Sequence, residues 1–210
     1  MSFVCTIFTY CTKALCNWFR GLNEWGDSMS IRADIKSLLA ESLIKLSKTR
    51  NIKHITVQDI VDNCGGGRQT FYNHFNDKYD LIMWIHNKQI EAIFADYGVN
   101  NNWYECLQKT YIMALENKHF YKNAFDPAGE QKYIFDITFK NMQVYINKTI
   151  SKEFDNKIVP VNLCYVIDFY SYGQIETVIK WIKRGMKESP EFMADIAIIC
   201  MPSELKKYLL

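Results

Sequence analysis

Apolar residues recur at helical spacing along nearly the whole chain, and the breaks between runs fall at Gly, Pro, Asp and Asn. Ile31, Ile35, Leu38, Leu39, Leu43 and Leu46 form one stripe, which predicts a helix over residues 31–47. Val57, Ile60 and Val61 repeat the spacing in a shorter helix over 57–64. Thr56 is placed to cap it, and Asp59 to return the bond. Gly65, Gly66 and Gly67 end that helix, because glycine tolerates the left-handed backbone of a sharp turn. Phe71 and Phe75, four apart, would seat a second short helix on the core. Asp77 caps a long helix from 78 to about 97, with Leu81, Ile82, Trp84, Ile85, Ile90 and Ile93 as its apolar set and Gly98 at its end. Further helices are expected over about 103–118, over 133–153 and, after Pro160, over 161–187. Asp126-Pro127 and Gly129 mark a loop between the first two. Ser189-Pro190 starts a helix over 191–200, and Pro202 opens a tail helix ending at Leu210. No internal repeat is present. The fold class is all-α.

The segment from Thr56 to Phe75 carries the chemistry. Two short helices joined by a glycine turn suit a helix-turn-helix, whose second helix enters the DNA major groove. With Phe71 and Phe75 inward, Arg68, Gln69, Tyr72 and Asn73 face out. Arg pairs with guanine O6 and N7, and Gln or Asn with adenine, so Arg68, Gln69 and Asn73 are the expected base readers. Thr56, Thr70, Tyr72, His74 and Lys78 surround the helix ends with hydroxyls, an imidazole and an ammonium. These suit phosphate oxygens, which set register without reading sequence. Tyr72 and His74 also suit plain packing at a helix end.

At these residues the chain resembles the TetR family of bacterial transcriptional regulators. The resemblance rests on Val57–Cys64, the turn Gly65, the run Thr70-Phe71-Tyr72-Asn73-His74-Phe75, and Asp77-Lys78 continuing through Tyr79-Asp80-Leu81. It covers roughly residues 31–98. One departure is Gly66-Gly67, where the family usually has an apolar residue and then Ser, Thr or Asn. Losing a small buried side chain at Gly66 would cost about 1 kcal/mol and loosen the turn. The segment FYSYGQIETVIKWIKRGMKESPEFMADI is similar to the body of the subgroup that includes regulators of dihydroxyacetone kinase operons. The resemblance implies a three-helix helix-turn-helix head and a larger C-terminal helical bundle. It divides the chain into residues 29–76, which bind DNA, and 77–210, which bind an effector and dimerise. It also implies a homodimer on a palindromic double-stranded operator, controlled by a small-molecule or protein effector. A helical interaction module, or a co-regulator-dependent activator with weak or lost DNA binding, is the alternative.

The helix over 161–187 is apolar nearly all round, and a second subunit is the available cover. Leu163, Ile167, Tyr170, Gly173, Val178 and Trp181 are therefore the expected dimer interface, with Gly173 at the closest approach. Tyr111, Tyr121, Phe139 and Tyr145 are expected to line an effector pocket between body helices. Aromatics at that spacing equally suit an ordinary core.

Composition adds limits. A net charge of +2 argues against a nonspecific polyanion binder but leaves room for a local basic footprint from Lys48, Arg50, Lys53, Arg68 and Lys78. The seven cysteines form no CxxC pair, and none has zinc-ligand spacing with His, so they read as reduced thiols and no metal or cofactor is expected. No GxSxG, HExxH, Walker or dinucleotide-binding motif occurs, which argues against an enzyme. His86 and His119 are expected to be solvent-facing or satisfied core residues. Residues 1–28 are apolar but interrupted by Thr, Lys and Asn. They suit neither a membrane span nor a signal peptide, and are expected to be an extension ahead of a natural start at Met29-Ser30-Ile31-Arg32. The expected setting is the cytoplasm, with no membrane partner.

Overall fold

The computed structural model describes residues 29–125, 131–154 and 159–210. The expected extension over 1–28 and the loop around Asp126-Pro127 and Gly129 lie outside them. Among the described residues there are ten α-helices, one 3-10 turn and no strand. The helices are α1 Met29–Ser47, α2 Val57–Asn63, α3 Arg68–Tyr72, α4 Lys78–Phe94 and α5 Trp103–Glu116, then α6 Lys118–Ala124, α7 Gln131–Glu153, α8 Val161–Lys183, α9 Pro190–Ile199 and α10 Ser203–Leu209. The 3-10 turn, Ile52–His54, lies between α1 and α2.

Local chemistry explains most of the boundaries. The Thr56 hydroxyl accepts from the Asp59 amide, and the Asp59 carboxylate accepts from the Thr56 amide at 2.8 Å, a complete capping box. Asn102 and Glu105 build the same device on α5. Asp77 accepts from the amides of both Tyr79 and Asp80 at the start of α4. After α2, Gly65 turns left-handed at φ +71°. Its amide then reaches the Asp62 carbonyl, and the Gly66 amide reaches the Val61 carbonyl at 2.8 Å. This paired closure satisfies two carbonyls that the helix end would otherwise leave open.

The same closure, with Gly185 at φ +89°, ends α8 at Lys183 instead of 187. The Met186 amide bonds the Trp181 carbonyl at 2.8 Å, and Met186 is itself left-handed at φ +52°. The expected helix over 103–118 is also shorter, because Asn117 separates α5 from a distinct α6.

In the head, Leu39, Leu43, Ile55, Ile60, Val61, Phe71 and Phe75 close on one another in the core. Leu38, expected in the buried stripe of α1, is largely exposed. The buried Ser42 hydroxyl donates to the Ile60 carbonyl at 2.7 Å and accepts from the Asn63 amide, which pins α1 to α2. In the body, α9 lies along α5, α8 along α7, and α10 closes against both α7 and α8. Head and body meet in two ways. Helix α4 runs out of the head onto α5, and α6 packs against both α1 and the 3-10 turn.

Candidate nucleic-acid interface and body cavity

Helix α3 is only five residues long, and its N-cap, Gly67, supplies no side-chain bond. Its placement therefore comes from Phe71 and Phe75, which are buried against each other with ring centroids 5.8 Å apart. Arg68, Gln69, Tyr72 and Asn73 are exposed, whereas Thr70 and His74 are half-buried. Gln69 donates to Asn73 across one turn at 3.1 Å, so these two amides form a unit on the outer face. Tyr72 stands edge-on to Phe71. Gly66 is exposed, and a Cβ there would meet only ordinary contacts, the nearest being Cys64 Sγ at 3.6 Å. No buried side chain is missing, so the turn is not loosened as expected.

Lys78 is not placed as a phosphate contact. Its ammonium donates to the carbonyls of Ile52, Lys53 and Ile55 at 2.9, 3.0 and 2.9 Å. An ammonium has three protons, and all three are engaged at the end of the 3-10 turn. Arg50 is likewise engaged, in an ion pair with Asp59 at 3.0 Å. The Asp59 carboxyl is held down to about 2 by the Thr56 hydroxyl, then the Thr56 amide, then Arg50. Thr56 is exposed beside this pair. Of the expected basic footprint, Lys48, Lys53 and Arg68 present exposed side chains.

Between α4, α5, α6, α7 and α8 lies a cavity of about 100 Å³. Of the expected effector residues, Tyr111, Tyr121 and Tyr145 line it. Phe139 does not. It turns to the outer side of α7, stacking on Phe135 and lying 4.1 Å from the Tyr172 ring centroid. The periodicity of α7 puts Phe139 and Tyr145 on different sides, and only Tyr145 turns inward, stacking on Phe94. His86, a satisfied core histidine, forms the polar centre of the wall. Its Nδ1 lies 3.2 Å from the Tyr121 hydroxyl, which in turn donates to Gln89 at 2.8 Å. Burial holds the His86 pKa down at about 4, so the ring is neutral near pH 7. Burial also pushes the Tyr111 and Tyr121 phenols up, keeping both protonated. The Gln174 amide donates to the Tyr111 hydroxyl.

The expected interface on α8 needs correction. Leu163, Ile167, Tyr170 and Trp181 are already buried inside the chain, and Val178 lines the cavity. Tyr170 donates to the Ala197 carbonyl of α9 at 3.1 Å, and Trp181 donates to the Glu188 carbonyl. Helix α8 is covered on two sides by its own chain, which accounts for most of its apolar excess. Gly173 is exposed, with open space where a Cβ would stand. The outer face carries Val161, Tyr165, Phe169 and Tyr172 instead, with Phe169 83% exposed. Phe192 and Ile199 of α9 are exposed as well.

Among the described residues no group of three His, Cys, Asp or Glu is placed to hold a metal, and no helix is long and apolar enough to cross a membrane.

A family model described as the C-terminal region of a transcriptional regulator, of the TetR type, matches residues 101–202. The HTH-type dhaKLM operon transcriptional activator DhaS of Lactococcus lactis subsp. lactis (strain IL1403) is 28% identical over 111 residues. That alignment spans 51% of this chain and 57% of the relative's length. A solved structure, the dihydroxyacetone kinase operon activator DhaS, superposes with a TM-score of 0.64 at 18% identity. It covers 84% of this chain and 98% of that one, and so shares the fold. With the all-α architecture, these findings show that the chain belongs to the TetR family of transcriptional regulators.

Proposed function

We propose that this protein is a cytoplasmic, dimeric transcription regulator that reads a palindromic operator and answers to an effector in its body. Residues 29–76 would form the DNA-reading head, and residues 77–210 the effector-binding and dimerising part. The observation that carries this reading is the outward arc of α3. Arg68, Gln69 and Asn73 are exposed on a helix that Phe71 and Phe75 hold from behind. The Arg68 guanidinium makes no hydrogen bond among the described residues and suits a guanine edge. The Gln69–Asn73 pair suits adenine. Thr56, Thr70, Tyr72 and His74 take the phosphate-contacting role around this arc, without Lys78.

The dimer contact is assigned to the outer face of α8 with Phe192 and Ile199 of α9. Val161, Tyr165, Phe169 and Tyr172 recur at 4, 4 and 3 residues, one continuous face of a helix. An apolar face of this kind, left uncovered by its own chain, marks an interaction surface. Two heads so joined would enter successive major grooves about 34 Å apart. An effector that displaced α4 would disturb that spacing. The relative is named an activator, so operator binding by this chain is assigned to activation.

Random-sequence selection by gel shift tests the reading. Enrichment of a palindrome is expected, and Arg68→Ala should weaken it by roughly 1–3 kcal/mol while relaxing one base pair per half-site. An unchanged selected sequence in the Arg68 variant would remove the base-reading assignment. No enrichment at all would favour an interaction module that has lost DNA binding.

A further inference from the structure

The body cavity carries more information than its existence. Its wall holds no Asp, Glu, Lys or Arg. A charged ligand would be desolvated there without a counter-charge, which is strongly unfavourable. Six aromatic side chains face it: Phe94, Trp103, Tyr111, Tyr121, Phe125 and Tyr145. Rings of this kind favour a flat partner packed edge-to-face or offset. A dry cavity of roughly 150 Å³ takes benzene, so a smaller one sets the scale at a single ring.

The polar wall fixes what that ring must carry. With the Gln89 amide oxygen toward Tyr121, the tyrosine hydroxyl gives its proton to Gln89 at 2.8 Å. It can then only accept from His86, so the imidazole proton sits on Nδ1. The other nitrogen, Nε2, is left as a bare acceptor. Thr138 Oγ1 lies 3.4 Å from it, at the outer limit of a hydrogen bond. A ligand hydroxyl there would donate to Nε2 and accept from Thr138.

Resting on the proposed role of the body as the effector-bearing half, we infer that the cavity binds a small neutral aromatic alcohol of the phenol class, its hydroxyl read by His86 Nε2. The site also lies where such a ligand is felt by the head. His86 stands on α4, which leaves the head directly. Tyr121 stands on α6, which packs on α1 and the 3-10 turn.

Calorimetric titration of the full chain with phenol, toluene, benzoate and glycerol tests the inference without DNA. Phenol should bind at least about tenfold more tightly than toluene, because an unpaired buried acceptor opposes the hydrocarbon. Benzoate and glycerol should not bind at the concentrations where phenol saturates. His86→Leu should bring the phenol and toluene affinities together. Ala114→Leu, which projects carbon into the cavity from a fully apolar site, should abolish phenol binding while thermal unfolding stays cooperative. It serves as the test if the His86 variant does not fold. Equal binding of toluene and phenol by the wild type would overturn the inference. So would tighter binding of benzoate or glycerol, or phenol binding that survives Ala114→Leu. None of these outcomes touches operator selection, so failure here and failure of the regulator reading are told apart.

Discussion

Replacing Lys78 by Met keeps the hydrophobic stem and removes the ammonium. Three charge-assisted hydrogen bonds disappear together, from the carbonyls of Ile52, Lys53 and Ile55. Hydrogen bonds to charged groups contribute roughly 1.5–3 kcal/mol each when taken singly. Here they share one ammonium, the bond to Lys53 is exposed, and the Ile52 carbonyl keeps a second partner in the Ile55 amide. The three are therefore not additive, and about 2–4 kcal/mol is expected for the set. That loss falls on the link between α4 and the segment entering α2. Urea denaturation should show a lower midpoint at unchanged slope. Operator affinity measured from low to high salt should fall at every salt concentration, with the salt slope unaltered. If the slope instead drops by about 0.9, the increment for one lost phosphate contact, and stability is unchanged, then Lys78 faces DNA and its assignment to the 3-10 turn is refuted.

Three further outcomes are expected. Phe169→Lys alters a side chain that is 83% exposed, so monomer stability should change by less than about 0.5 kcal/mol. The dimer should nevertheless dissociate in sedimentation at micromolar concentration, and an unchanged mass would exclude that face. His86 has its folded pKa lowered to about 4 from 6.5, so the unfolded chain binds the extra proton between those values and stability falls as pH drops through that window. The loss should approach about 3 kcal/mol below pH 4. His86→Gln should flatten this limb of the pH–stability curve, and a limb that persists would place its origin elsewhere. Gly67→Ser should stabilise the head by a few tenths to about 1 kcal/mol, since open space surrounds the missing Cβ and α3 has no side-chain cap. A lower denaturation midpoint would contradict the cap argument.

The sequence was most legible where the determining contacts are local. The Thr56–Asp59 box, the left-handed Gly65 and the Phe71–Phe75 pair are each set by residues at most four apart. Lys78 misled because its acceptors lie 23 to 26 residues away, and an exposed lysine at a helix start looks the same whether it meets a phosphate or a distant carbonyl. Helix α8 was legible as buried on several sides. Its pattern did not distinguish cover by α9 and the cavity from cover by another subunit. The break at Asn117 was missed because no Gly or Pro marks it, and Phe139 was misassigned because periodicity places a residue on a helix face without naming the neighbour.

The two-sided character of α8 has a consequence for dose response. Gln174, Ile175, Val178, Ile179 and Ile182 form one wall of the cavity, while Tyr165, Phe169 and Tyr172 stand on the opposite side of the same helix. A packed helix moves as a body more readily than it deforms. In a dimer joined through the outer face, filling one cavity would shift the surface on which the other subunit rests. The second cavity would then no longer have the affinity of the first. Effector titrations of the dimer should depart from a Hill coefficient of one, and a monomeric Phe169 variant should return to simple hyperbolic binding.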